Sequence, residues 1–274
     1  MSSTPPDPLD RFSALTRQWF TGTFPSPTAA QAQAWSAIAD GRHTLVIAPT
    51  GSGKTLAAFL WAIDRLAAEP PATAGTRVLY VSPLKALAVD VERNLRTPLT
   101  GITRIAQRLG APAPDISVGV RSGDTPPGRR RELIVKPPDI LITTPESLFL
   151  MLTSAARDTL ATVQTVIVDE VHAVAATKRG AHLALSLERL DRLTAAPAQR
   201  IGLSATVRPP EEVARFLAGV SPATIVAPPA TKTFDLSVQV PVPDMANLEN
   251  NTIWPDVEER IVDLIETQER LHVY

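Results

Sequence analysis

Short runs of Val, Ile and Leu recur along this chain, separated by longer stretches whose apolar residues return every three or four positions. The runs lie at Leu45–Ala48, Val78–Val81, Ile116–Val120, Ile140–Ile142, Val166–Val168 and Ile201–Leu203. The helical stretches between them are Leu56–Leu66, Leu84–Leu95, Ile102–Leu109, Arg129–Val135, Glu146–Leu152 and His182–Leu193. Continuous apolar runs predict strands buried on both faces, and their alternation with helices predicts right-handed parallel crossovers. The expected fold is α/β: a doubly wound, mainly parallel sheet with helices on both faces and ligands at the C-terminal strand ends. Ahead of the first strand, Leu9, Phe12, Leu15 and Trp19 predict one short amphipathic helix, which Gly22–Pro27 breaks. A second helix is expected from Thr28 as N-cap, through Gln31, Trp35 and Ile38, to Gly41.

Residues 1–8 read as a disordered start and 9–230 as the main domain. The Pro- and Ala-rich segment Val220–Thr233 reads as a boundary. Residues 231–274 would be a linker and a short C-terminal extension: a strand candidate at Phe234–Val240 and an amphipathic helix carrying Val257, Ile261, Leu264, Ile265 and Leu271.

Within this frame the stretch Ala48-Pro49-Thr50-Gly51-Ser52-Gly53-Lys54-Thr55 joins the first strand to a helix. That is the context of a phosphate-binding loop, in which small residues let backbone N–H groups converge on phosphate oxygens at a helix N-terminus. Thr50, Gly51, Ser52 and Gly53 would supply the cradle, Lys54 would reach the β- and γ-phosphates, and the Thr55 hydroxyl would ligate Mg²⁺. Ala48 replaces the first glycine of the general pattern. The run Thr165-Val-Ile-Val-Asp169-Glu170-Val171-His172 ends a strand in adjacent acids. Asp169 can hold Mg²⁺ directly or through water, and Glu170 can orient and deprotonate an attacking water.

Together, Ala48–Thr55, Asp169-Glu170-Val171-His172 and Ser204-Ala205-Thr206 resemble motifs I, II and III of superfamily 2 helicases of the DEAD/DEAH-box type, where alanine commonly opens motif I. Phe24 and Pro27–Gln31 resemble the Q motif, whose glutamine reads the adenine edge. Ser82–Leu87 resembles motif Ia, Thr144–Leu148 motif Ib, and Ser122–Thr125 a further loop that touches the strand. The resemblance extends over about residues 9–230. It is nearest to the large helicase-related proteins of bacteria, through Thr177–Leu183 and Leu187–Leu190.

That resemblance implies a RecA-like first motor domain that binds ATP and Mg²⁺, with Lys54, Asp169 and Glu170 catalytic and Gln31 on the adenine. Pro83, Lys85, Gly123, Thr144 and Pro145 would line the path of single-stranded or partly duplex nucleic acid, DNA favoured over RNA. His172, Ser204 and Thr206 would couple hydrolysis to movement. The plainer alternatives are a surface glutamine at Gln31, helix caps at Lys85 and Thr144, strand-end hydroxyls at Ser204 and Thr206, and a solvated helix face at Arg129-Arg130-Arg131. In such motors a second RecA-like domain supplies arginine fingers, and no matching motif follows Arg215. A second domain in cis or in trans is therefore expected, with slow hydrolysis by this chain alone. The alternative is a nucleotide- and nucleic-acid-binding module without productive catalysis. A small-substrate P-loop kinase would leave the Ia, Ib and III segments unexplained.

Composition changes this picture little. The 274 residues carry 44% hydrophobic side chains, a net charge of −1 and no cysteine. They exclude disulfides, Cys-ligated zinc and thiol catalysis, and fit a reducing cytoplasm. Near-neutral charge neither supports nor excludes a nucleic-acid partner, since a groove needs only local positive charge. The first eight residues lack the basic start and apolar region of a signal peptide, and no membrane association is expected.

Overall fold

The computed structural model describes residues 7–69, 73–229 and 252–267, with Val238, Val240 and Val242. Contacts divide the chain into two units, Met1–Ala230 and Thr231–Tyr274. The first contains seven strands: β1 (His43–Ile47), β2 (Val78–Val81), β3 (Val118–Arg121), β4 (Ile140–Thr143), β5 (Thr165–Val168), β6 (Gln199–Ser204) and β7 (Ala223–Val226). They form one sheet in the order β3-β4-β2-β5-β6-β1-β7, and every neighbouring pair is parallel.

The middle positions of the strands are mostly apolar because alternate side chains feed different cores. Val46, Tyr80, Ile142 and Ile167 point to a layer made by α1 (Ala14–Thr23), α2 (Ala29–Ala39), α3 (Lys54–Ala68) and α4 (Lys85–Arg108), where Trp35 and Phe59 are fully buried. Leu45, Ile47, Leu79, Val81, Leu141, Val166 and Val168 point the other way. They meet α6 (Pro145–Leu152), α7 (Val171–Ala175), α8 (Lys178–Asp191) and α9 (Pro210–Ala218). Helix α5 (Pro127–Val135) follows the edge strand β3. The second unit contributes α10 (Trp254–Thr267), which carries the expected positions Val257, Ile261, Leu264 and Ile265; Leu271 and most of the Phe234–Val240 strand candidate lie outside the described residues. Among the described residues no helix is long and apolar enough to cross a membrane.

Four local expectations are corrected. The single helix from Leu9 to Trp19 is a 3-10 turn at Pro8–Arg11 followed by α1. Ser13 interrupts it: its backbone is extended, its hydroxyl accepts from Thr16 N–H, and its own N–H donates at 3.2 Å to the buried carboxylate of Asp64 on α3. A tertiary anchor thus overrides local periodicity. The structureless start does not reach residue 8, because Asp7 caps that first turn at Leu9 N–H; residues 1–6 lie outside those described. The two helices expected at Leu84–Leu95 and Ile102–Leu109 are one, α4, which runs through Pro98. Interior proline costs about 3 kcal/mol. The stripe Ala88, Val91, Leu95, Ile102, Ala106 stays buried on both sides of it, and a few such side chains offset that penalty at about 1.5–3 kcal/mol each. Finally, the boundary segment contains β7, too short to show a pattern but paired with β1 from His43↔Ala223 to Val46↔Val226.

The short helix α7 is wedged against α8 at Gly180. A Cβ there would lie 2.0 Å from the Val174 carbonyl oxygen, a backbone atom that cannot swing aside. Helix propensity alone says that Gly180→Ala should stabilise by about 1 kcal/mol, whereas the overlap destabilises by about 1–3 kcal/mol. The steric effect should win, and urea unfolding should show a lower midpoint for Gly180→Ala. A higher midpoint would mean that α7 and α8 do not touch in this way.

Candidate nucleotide and nucleic-acid site

Arg121, Thr143, Val81, Val168, Gly202 and Leu45 stand in one register row across six strands. The residues that follow in the first four strands, Ser122, Thr144, Ser82 and Asp169, therefore emerge side by side at the C-terminal edge of the sheet. Sequence-distant motifs are brought level by parallel pairing alone.

At the β1 end, the loop 48–53 turns through Gly51 and Gly53, both at φ +79°. Gly53 is required twice over: a Cβ would also meet the Gln31 amide nitrogen at 2.4 Å. Gly53 is the N-cap of α3 and no side chain caps that helix, so its first-turn N–H groups are left for a ligand. The loop is braced from behind. The Thr28 hydroxyl donates to Ser52 O (3.0 Å) and Gln31 Nε2 donates to Gly53 O (3.4 Å). Gln31 is buried, and its Oε1 accepts from Thr28 N–H in a capping box. It is not a surface glutamine. Thr50 and Gly51 are exposed, while Thr55 is half-buried on the first turn of α3 with its hydroxyl in no hydrogen bond among the described residues.

Lys54 is half-buried and donates from Nζ to the Ser204 carbonyl at 3.2 Å; Ala48 N–H reaches the same oxygen at 3.2 Å. One carbonyl at the end of β6 thus ties both ends of the phosphate loop. Burial depresses the Lys54 pKa, and the nearby Glu170 and Asp169 charges oppose that shift.

The Asp169 carboxylate is 8% exposed and is held by two donors. Its Oδ1 accepts from Glu170 N–H at 2.9 Å, and its Oδ2 accepts from the Tyr80 hydroxyl on β2. Tyr80 is wholly buried and stacks on Phe59 with ring centroids 5.0 Å apart. Burial and then the Asp169 charge push its phenol pKa far up, so it stays a donor. Sequence reasoning passed over Tyr80. The available signal was a lone hydroxyl inside an apolar strand, which when buried must find a partner. Among the described residues Glu170, at φ +44°, is the one non-glycine residue with positive φ, and this left-handed kink starts α7.

His172 on α7 faces the end of β6. Its Nδ1 accepts from Ala205 N–H (3.3 Å), lies 3.2 Å from Ser204 Oγ, and is 3.4 Å from Glu170 Oε2. Only the unprotonated Nδ1 can accept from Ala205, and only the protonated one can donate to Glu170. Thr206 lies beyond the strand, exposed, its hydroxyl without a hydrogen bond among the described residues.

The strands β3, β4 and β2 carry the other expected set. Thr144 is 2% exposed and caps α6, its hydroxyl accepting from Ser147 N–H at 3.4 Å. Pro145 is buried as the first residue of that helix, and Pro83 is buried after β2. Lys85 opens α4, where Leu84 rather than Lys85 is the N-cap, and its side chain lies outside the described residues. Gly123 is exposed in a turn closed by Ser122 N–H on Thr125 Oγ1 at 2.8 Å. The run Arg129–Arg131 is not one solvated face: Arg129 pairs with Glu132 at 2.6 Å and Arg131 is exposed, but Arg130 folds back and donates to Gly123 O at 2.7 Å. No group of three His, Cys, Asp or Glu side chains able to hold a metal occurs among the described residues. An oxygen pair such as Thr55 and Asp169 suits a cation whose other ligands are phosphate and water.

The chain is 80% identical over 97% of its length to the Lhr helicase/probable uracil glycosylase of Mycolicibacterium smegmatis. It is 52% identical over 94% of its length to the Lhr helicase/uracil glycosylase of Escherichia coli. It spans 18% of each of those relatives. A solved structure described as Mycobacterium smegmatis helicase Lhr bound to ssDNA and AMP-PNP superposes with a TM-score of 0.86 at 80% identity, covering 96% of this chain and 34% of that one. A model of the DEAD/DEAH box helicase family matches residues 28–215. With a phosphate loop, an acidic strand end and a histidine-linked β6 on one edge of a parallel sheet, the chain belongs to the DEAD/DEAH box helicase family.

Proposed function

We propose that this chain is the ATP-binding first motor domain of a nucleic-acid helicase, taking Mg·ATP at the β1, β5 and β6 ends and a single strand, DNA in preference to RNA, across the β3, β4 and β2 ends. The observation that carries it is the meeting of Lys54, Asp169, Glu170, His172 and Ser204 at one sheet edge, with Lys54 already under the charges of both acids. The similar chain described with ssDNA and AMP-PNP supports both ligands.

In this scheme the open first-turn N–H groups of α3 and the loop amides bind the β- and γ-phosphates, and Lys54 exchanges the Ser204 carbonyl for phosphate oxygen. Thr55 and Asp169 would hold Mg²⁺, which would supply charge neutralisation at the phosphate oxygens. Glu170, at the start of α7, positions the water and takes its proton. Gln31 keeps one amide hydrogen for the adenine edge while it braces Gly53. His172, Ser204 and Thr206 carry changes at the acids to the end of β6. Thr144, Pro145, Pro83 and Gly123 shape the strand path through backbone groups more than through free side chains, and Lys85 opens the helix beside it. A second RecA-like domain, in cis or in trans, supplies the missing cations for turnover.

Lys54→Ala should weaken binding of a fluorescent Mg·ATP analogue at least tenfold, since a hydrogen bond to a charged group is worth about 1.5–3 kcal/mol. Glu170→Gln should bind normally and lose residual turnover; unchanged turnover would remove Glu170 as the base. Tyr80→Phe leaves Asp169 Oδ2 buried without its donor. It should lower stability by about 1–3 kcal/mol and raise the Mg²⁺ concentration at half-saturation, while Mg-free nucleotide binding stays the same. Equal Mg²⁺ titrations for wild type and Tyr80→Phe would show that the tyrosine does not position this carboxylate.

A further inference from the structure

Three arginines are buried in this fold, and two of them have carboxylate partners. Arg200 binds Asp191 at 2.6 Å and Glu188 at 2.8 Å, and Arg77 binds Asp139 at 3.1 Å. Arg121 is the exception. It ends the edge strand β3 at 9% exposure, and among the described residues it makes no salt bridge and its buried Nη1 has no hydrogen-bond partner. What stands beside it is another cation. Arg130, folded back from α5, donates to the Gly123 carbonyl, yet its Nε is also buried and unpartnered. Burial and then the like charge of Arg130 pull the Arg121 pKa down.

Two neighbouring guanidiniums, each with one buried N–H donor unmet and neither paired with a carboxylate among the described residues, are completed by an anion. Guanidinium forks match a tetrahedral oxyanion in geometry as well as charge. The anion's source is indicated by position. Arg121 stands opposite Thr143 in the β3–β4 register, one residue before Thr144, and the exposed Gly123 follows it by two residues. The nucleotide loop lies on β1, at the far side of β4, β2, β5 and β6 in the sheet order.

We infer that Arg121 and Arg130 form a backbone-phosphate site for single-stranded nucleic acid at the outer edge of the sheet. The inference rests on the strand path proposed above. Arg130, half-exposed, makes the first contact by exchanging the Gly123 carbonyl for a phosphodiester oxygen, and Arg121 supplies charge from beneath. Neither residue reads a base in this arrangement, so the site is indifferent to sequence and to the 2′-hydroxyl.

The test is fluorescence anisotropy of this chain with labelled short oligodeoxythymidylate and oligouridylate across a salt series. Arg130→Gln and Arg121→Gln should each weaken both ligands five- to tenfold at low salt, and Arg130→Gln should flatten the log–log salt slope by about 0.7 for the lost contact. Arg129→Gln, whose guanidinium is already paired with Glu132, should leave binding unchanged. If Arg121→Gln unfolds, judged by circular dichroism, Arg130→Gln on its half-exposed site decides alone. Arg130→Gln binding as wild type while Thr144→Val binds more weakly would overturn this site and leave the strand path standing. A wild-type chain that binds neither oligonucleotide would overturn both.

Discussion

A carboxyl group buried inside a protein must be given hydrogen-bond partners, and the Asp169 side chain receives two donors, Glu170 N–H and the Tyr80 hydroxyl on the neighbouring strand. Much of the site follows from that requirement. The Glu170 N–H can turn back onto Asp169 because residue 170 is in the left-handed region, and the same kink begins α7. Helix α7 then places His172 against the end of β6, whose Ser204 carbonyl holds Lys54 and Ala48 of the phosphate loop. From Tyr80 to Lys54 each link is a hydrogen bond or a helix start with named partners.

The sheet order gives this chain of contacts its functional sense. Strands β1, β5 and β6 end in the groups proposed for the nucleotide, and β3, β4 and β2 in those proposed for a nucleic-acid strand; the sheet order keeps the two sets apart. Tyr80 belongs to β2 and binds Asp169 after β5, so it spans the line between the halves. A displacement of β2 by a bound strand would be felt at the Asp169 carboxylate without any intervening loop.

Much of this was legible in the residues. Continuous apolar runs marked six of the seven strands, because strands covered on both faces must be apolar on both, and the phosphate loop and the Asp169-Glu170 pair were visible as local patterns. What escaped notice depends on contacts between distant residues. Ser13 breaks a helix because Asp64 reaches it, Pro98 is tolerated because a buried stripe continues on both sides, and β7 exists because β1 offers an open edge. The same holds for the site. Nothing near Gln31 in sequence reveals that Gly53 packs against its amide, and nothing in Arg129-Arg130-Arg131 says that the middle residue alone turns inward.

The central claim is that Thr55, after β1, and Asp169, after β5, hold a divalent cation only together with nucleotide phosphates. Electron paramagnetic resonance of Mn²⁺ substituted for Mg²⁺ addresses this directly. Mn²⁺ should become protein-bound only when an ATP analogue is present, and Asp169→Asn should return the spectrum to that of the free Mn²⁺–nucleotide complex. Tight Mn²⁺ binding without nucleotide, or an unchanged protein-bound spectrum in Asp169→Asn, would contradict it.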